Sequence, residues 1–167
     1  MKYAILGDLH SSYEETRQVL AQIHAYPEPL TIIGLGDLFE CKIGKKKARS
    51  LVKNLSIEEA AIYEKKFCEL LTFQTVYGNQ EERIALVTGD QRFVNYPETI
   101  SIEHATIIHG HQFTYDENFH LLTPTFSSKL LFFGHSHYSA IYVGDSRQSI
   151  VLNIPYDVSK INKQLLM

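Results

Sequence analysis

The chain reads as an α/β protein whose strands are buried on both faces, and three observations predict it. Five short apolar runs rich in β-branched and aromatic residues recur along the sequence, with polar or helix-like stretches between them. None alternates strictly, which is the pattern of strands covered on both sides rather than of an antiparallel sheet with one wet face. The length of 167 residues suits one compact domain, expected to span 1–167, and is enough to bury a core of two or three layers.

The elements follow in order. Tyr3–Leu6 is the first strand. Ser12 with Glu15 has the spacing of a capping box and opens a helix whose apolar face is Val19, Leu20 and Ile23. Thr31–Leu35 is the second strand. A second capping box, Ser56 with Glu59, predicts a helix running to about Thr72 with Ala60, Tyr63, Phe67 and Leu70–Leu71 turned inward. Strands are expected at Thr75–Tyr77, Thr106–Ile108 and Lys129–Phe133. Ile141–Val143 and Ser149–Leu152 flank Gly144-Asp145-Ser146-Arg147, the turn chemistry of a β-hairpin. There is no internal repeat, low-complexity tract or linker.

Composition narrows the function classes. A net charge of −3 gives the whole chain no pull toward nucleic acid or membrane. The start turns polar at Gly7-Asp8, so no signal-peptide core is expected, and no apolar run is long enough to span a bilayer. Two cysteines, Cys41 and Cys68, are too few for a disulfide framework and read as reduced thiols of a cytoplasmic protein. Lys45-Lys46-Lys47-Ala48-Arg49 is the one dense basic run, first read as a solvated face and second as an attractor of a phosphorylated substrate.

Eight histidines stand in a chain with no Trp and two Met, and their placement carries the functional argument. Each of the five internal strand candidates ends in a polar group beside a glycine: Gly7-Asp8-Leu9-His10, Gly36-Asp37, Gly78-Asn79, His109-Gly110-His111 and Gly134-His135-Ser136-His137. In open α/β sheets ligands bind at the carboxyl ends of strands, and glycine there permits sharp backbone turns and close approach. Two Asp, one Asn and four His would then converge, a mixed oxygen and nitrogen set suited to divalent transition metals. Gly89-Asp90 and Gly144-Asp145 serve as controls. Neither directly follows a buried strand candidate, and both read as turn chemistry. His24, His104 and His120 lack strand-end context and read as surface or structural residues. Cys41 reads as a small buried thiol.

The ordered series Asp8-x-His10, Gly36-Asp37, Gly78-Asn79, His109-Gly110 and Gly134-His135-x-His137 resembles the calcineurin-like metallophosphoesterase superfamily, and the short length resembles its small single-domain bacterial and archaeal phosphodiesterase branch. The resemblance runs from Tyr3 to about Asn153. It implies a four-layer αββα sandwich of two mixed β-sheets flanked by helices, with the metals at one edge. It implies Asp8, His10 and His137 on one ion, Asn79, His109 and His135 on the other, and Asp37 bridging both, with His111 the alternative to His109. Asp37, Asn79 and His111 are the expected catalytic residues. The chemistry implied is hydrolysis of a phosphate ester by a hydroxide shared between two divalent ions, with Mn²⁺ expected first and Fe, Zn or Ni as alternatives.

One departure matters. Many larger members follow Gly-Asn with His-Glu and the small branch commonly with Cys-Asp, whereas this chain has Gln80-Glu81, and a glutamine cannot deliver a proton at neutral pH. General-acid help, typically worth about 10²–10⁴-fold, would have to come from His111, from a nearby carboxylic acid, or be unneeded by the leaving group. The closing Asn153-Ile154-Pro155-Tyr156 also departs from the Asn-Pro-Gly-Ser ending common in that branch. The expected partner is a small, nucleotide-like phosphodiester. Phosphomonoester cleavage is the alternative within enzymes, and a non-catalytic protein-binding scaffold the alternative outside them. Nine Phe and ten Tyr leave room for an aromatic homodimer patch.

Overall fold

The computed structural model of the chain describes residues 1–115, 121–122, 128, 130–137, 141–142 and 150–152. Within them the order is β1 (Tyr3–Leu6), α1 (Tyr13–His24), β2 (Thr31–Gly34), β3 (Glu40–Cys41), α2 (Lys45–Ser50), α3 (Ile57–Ala60), β4 (Ala61–Ile62), α4 (Lys65–Cys68), β5 (Gln74–Thr75), α5 (Asn79–Thr88), β6 (Thr99–Ile102), β7 (Ala105–Ile108), β8 (Thr114–Tyr115), β9 (Leu121–Leu122), β10 (Leu130–Phe132), β11 (Ile141–Tyr142) and β12 (Ile150–Leu152). The predicted hairpin turn at Gly144–Arg147, the closing Asn153–Tyr156, Lys129 and His120 lie outside the described residues.

Two main sheets carry the fold. β1, β2 and β5 pair in parallel, with Tyr3 opposite Thr31 and Gly34 opposite Thr75. The second sheet runs β11-β12-β10-β7-β6 and is mixed: β10 is parallel to β7 and β12, while β6 and β11 pair antiparallel. Successive side chains on these strands enter different cores, as a two-residue period requires. On the first sheet Ala4 and Leu6 join the large core with Leu20 and Ile23 of α1, whereas Ile5 and Ile33 face Ile107 of the second sheet. On the second sheet Ile107 and Phe132 face inward to the first, while Ile108, Leu131 and Phe133 pack with Phe113 on the far side. Burial on both faces is what the unbroken apolar runs predict, and the layered α/β sandwich agrees with that expectation.

Two local expectations are corrected. Ser12 does cap α1, yet its side chain makes no capping hydrogen bond. The chain entering the helix is held by backbone bonds instead, from Ser11 N to Leu38 O and Ser12 N to Leu9 O. Ser56 and Glu59 do form the reciprocal box, but the helix they open ends at Ala60 rather than near Thr72. Ala61–Ile62 leave it to pair with Glu40–Cys41 as an antiparallel ribbon. A β-branched residue takes readily to that extended pairing, and the tertiary partner overrides the helical periodicity. Tyr63, expected inside, is 41% exposed and stacks its ring on Phe39. Phe67 and Ala60 are buried as expected.

Candidate metal centre

The carboxyl ends of β1, β2, β7 and β10 lead directly into Asp8 and His10, Asp37, His109, and His135 and His137, and Asn79 opens α5 just after β5. The backbone at these ends is unusual. Asp8 (φ 53°), His10 (45°), Asp37 (48°), His135 (71°) and His137 (56°) all occupy the left-handed region. That conformation costs a non-glycine residue about 1–2 kcal/mol, and such outliers cluster at functional sites. Sequence reading placed the sharp turns on the adjoining glycines; in large part the turn falls on the polar residue itself. Two of the glycines serve by lacking a side chain. A Cβ on Gly78 would strike Asp37 Oδ1, and one on Gly134 would strike Asp8 Oδ2.

Two groups of donor atoms result, Asp8, His10 and His137 in one, and Asp37, His109 and His135 in the other. Within each group the ligand atoms lie within 4.8 Å of one another. Asn79 belongs beside the second, with Oδ1 3.3 Å from His109 Nε2. His10 Nε2 and His137 Nε2 are 3.4 Å apart, His137 Nε2 is 3.5 Å from Asp8 Oδ1, and His109 Nε2 is 3.3 Å from Asp37 Oδ2.

Other residues hold these donors in place. His10 Nδ1 lies 2.6 Å from Glu40 Oε2, and His109 Nδ1 lies 2.7 Å from Leu35 O. Both partners accept, so each ring donates from Nδ1 and turns Nε2 toward the cluster. Asp8 accepts from His135 N at 3.0 Å and Asp37 Oδ1 from Gln80 N at 2.8 Å. Glu81, fully buried, accepts from Asp37 N, Phe39 N and Gly78 N at 2.9, 3.0 and 2.8 Å. Sequence reading assigned no role to Glu40 or Glu81. Glu81 stands three residues past Gly78 and reaches back to its N–H, the half of a capping box that spacing alone could have signalled. Nothing in the sequence marks Glu40, which β3 places opposite His10. Glu40→Ala is expected to weaken metal binding about 10–100-fold, the usual cost of losing a ligand's hydrogen-bonded partner; titration of the metal-free variant with Mn²⁺ checks it, and wild-type affinity would show that His10 needs no such support.

The electrostatics favour a cation. Asp8 and Asp37 are 1% and 2% exposed, and Glu81 lies behind them at 0%. Burying three carboxylates is costly unless positive charge compensates. Burial pushes Asp37 up, but the His109 hydrogen bond and charge outweigh it and hold the carboxyl below the usual range. His109 moves the other way: burial depresses it, and Asp37 more than restores it. His137 is raised by its hydrogen bond to Asp8. Burial and the charge of His109 push His135 down to about 4, leaving it a neutral imidazole able to ligate. Burial and Asp37 push Glu81 up to about 7, against the pull of its backbone donors. The donor types, their spacing and the charge deficit all fit divalent cations.

The remaining expectations divide. His111 lies beside the cluster, ring centroids 5.2 Å from His109 and 6.2 Å from His135, with Nε2 3.3 Å from Glu82 Oε1 and Nδ1 buried without a partner among the described residues. It is in neither group of convergent donors. Gln80 is occupied structurally: its Oε1 accepts from Cys41 N at 3.1 Å and from Arg83 Nη2 at 2.6 Å. Cys41 is a buried thiol, raised by burial, 3.6 Å from Ile43 O. His24 and His104 are exposed.

Residues 1–154 match the family model described as the calcineurin-like phosphoesterase superfamily domain. No curated protein matches the chain at significant similarity. Among solved structures, a conserved uncharacterized protein of Streptococcus pneumoniae TIGR4, described as a predicted phosphoesterase, is similar at 16% identity over 90% of this chain and 70% of that one, with a TM-score of 0.46. An archaeal phosphodiesterase is similar at 16% identity over 93% of this chain and 84% of its own, TM-score 0.47. Vacuolar protein sorting 29 of Cryptosporidium parvum is similar at 16% identity over 89% and 70%, TM-score 0.43.

Proposed function

This chain belongs to the calcineurin-like phosphoesterase superfamily, and on that premise we propose that it is a binuclear metal-dependent phosphoesterase acting first on phosphodiesters. The observation that carries the reading is the pair of donor groups at the carboxyl ends of strands from both main sheets, built from two Asp, four His and the neighbouring Asn79. Asp8, His10 and His137 would hold one ion, Asn79, His109 and His135 the second, and Asp37 both. Two divalent ions there would supply Lewis acidity toward the phosphoryl oxygens and a nucleophilic water at neutral pH. Manganese suits the mixed donor set, with iron, zinc or nickel the alternatives.

The chain's own residues do the rest. The carboxylates are fixed by backbone N–H groups, so charge is oriented before substrate arrives. Asn79 would contribute a neutral oxygen and so would not cancel further charge of the ions. His111 donates from Nε2 to Glu82, which leaves Nδ1 a buried acceptor with no partner among the described residues, and burial holds the ring below its usual pKa. It is therefore suited to orient a water or hydroxyl rather than to protonate a leaving oxygen at neutral pH. Gln80, held between Cys41 and Arg83, takes no part in proton transfer. A substrate whose leaving group departs without a proton fits this arrangement. The location expected is cytoplasmic; no helix among the described residues is long and apolar enough to cross a membrane.

The test is metal content of the purified protein together with hydrolysis of bis-p-nitrophenyl phosphate under added Mn²⁺. About two ions per chain and metal-dependent turnover are expected. A folded protein that binds no metal and turns over no ester with any of several divalent ions would sink the reading. Faster turnover of p-nitrophenyl phosphate would move it to the monoester class.

A further inference from the structure

The basic run at residues 45–49 has the sequence pattern of a solvated face, but the fold divides it. Lys45 and Arg49, four apart on α2, line a cavity that also receives Arg83 from α5, while Lys46 and Lys47 do not. The same cavity reaches Asn79, His111 and His135 of the candidate metal edge. Its volume is about 240 Å³, enough to admit a phosphoryl group.

The three cations are poorly compensated. Neither Lys45, Arg49 nor Arg83 pairs with a carboxylate among the described residues, and the one acidic side chain lining the cavity, Glu82, faces His111 at 3.3 Å. Arg83 is fixed by its 2.6 Å hydrogen bond to Gln80, yet its Nε is buried and has no partner among the described residues. A buried donor without an acceptor is costly, and a guanidinium fork matches the oxygens of a phosphate. Gln80 thereby acquires a purpose as the residue that positions Arg83.

We propose that this cavity receives a second phosphate group of the substrate, so that the preferred ester carries a phosphate besides the one cleaved. The proposal rests on the phosphoesterase reading, and a binding measurement separates the two. The matched probes are the thymidine dinucleotide TpT and its 5′-phosphorylated form pTpT, titrated into the full chain without added metal. Wild type is expected to bind pTpT at least about tenfold tighter than TpT, the scale of one charge-assisted hydrogen bond. In the K45A/R49A/R83A variant, whose altered residues lie outside the buried core, the preference should fall to within about twofold. Equal binding of the two probes by wild type, or a preference that survives in the variant, overturns the proposal. With Mn²⁺ present, the same preference should appear in kcat/KM. A binding preference without turnover of either dinucleotide or of bis-p-nitrophenyl phosphate sinks the phosphoesterase reading and leaves the phosphate site standing. Turnover without preference does the reverse.

Discussion

Asp37→Asn is expected to reduce phosphoester hydrolysis by more than about 10³-fold, since one oriented group aimed at developing charge is commonly worth about 10²–10³-fold and this one would serve two ions. The substitution changes charge while keeping shape. Asn can still accept from Gln80 N through Oδ1, so the loop before α5 stays in place. The other oxygen, which faces His109 Nε2 at 3.3 Å, becomes an amide N–H₂. That group cannot ligate a cation and can instead donate to His109 Nε2, occupying a second donor atom of the same group. Metal content is therefore expected to fall from about two ions per chain to fewer than one, with the folded structure retained. Two ions still bound and turnover within tenfold of wild type would mean that Asp37 does not bridge.

Glu81→Ala is expected to be the most damaging change to stability at the site. It strands the N–H groups of Asp37, Phe39 and Gly78 in a region without solvent access. At about 1–3 kcal/mol each, less what entering water recovers, the loss is on the order of 4 kcal/mol, a large share of the 5–15 kcal/mol typical of a small domain. Glu81→Gln separates shape from charge. Its carbonyl can take the two bonds that Oε2 now accepts, from Asp37 N and Gly78 N, while its amide faces Phe39 N–H and strands one donor. That variant should lose only about 1–3 kcal/mol. Denaturant midpoints at unchanged m-value measure both; Glu81→Ala within 1 kcal/mol of wild type would show that the loop is held by something else.

Much of this site was legible in the sequence because strand ends are positions that local pattern reveals. An apolar run followed by Gly-Asp or Gly-His marks both a strand and the place where its backbone emerges, and the topology then gathers those places on one edge. The strands at Tyr3–Leu6, Thr31–Gly34, Ala105–Ile108 and Leu130–Phe132 fall where the runs predict. Residues whose task is set by a distant partner were not legible. Glu40 matters because the β3–β4 ribbon brings it to His10, thirty residues earlier, and the same ribbon ended the helix that periodicity extended through Ala61–Ile62. The edge strand β6 was missed because Thr99–Ile102 is half-buried and polar at alternate positions, a weaker signal than the continuous runs. Gln80 is instructive in another way. Comparison with relatives marked it as a lost proton donor, and only its contacts with Cys41 and Arg83 show it as a clamp.

The five left-handed residues at the sheet edge set chain stability against ligand chemistry. Glycine at Asp8, His10, Asp37, His135 or His137 would relax the local backbone, because it alone adopts that conformation without steric cost. It would also delete the donor. A library of this protein screened only for resistance to heat should therefore drift toward glycine at His135 and His137, whereas at Asp8 and Asp37 the change would strand His135 N and Gln80 N; one screened for turnover should keep Asp and His throughout and accept a lower melting temperature. The arrangement predicts in addition that cation loading narrows that gap, because the ions would favour the conformation that the bare chain holds at a loss.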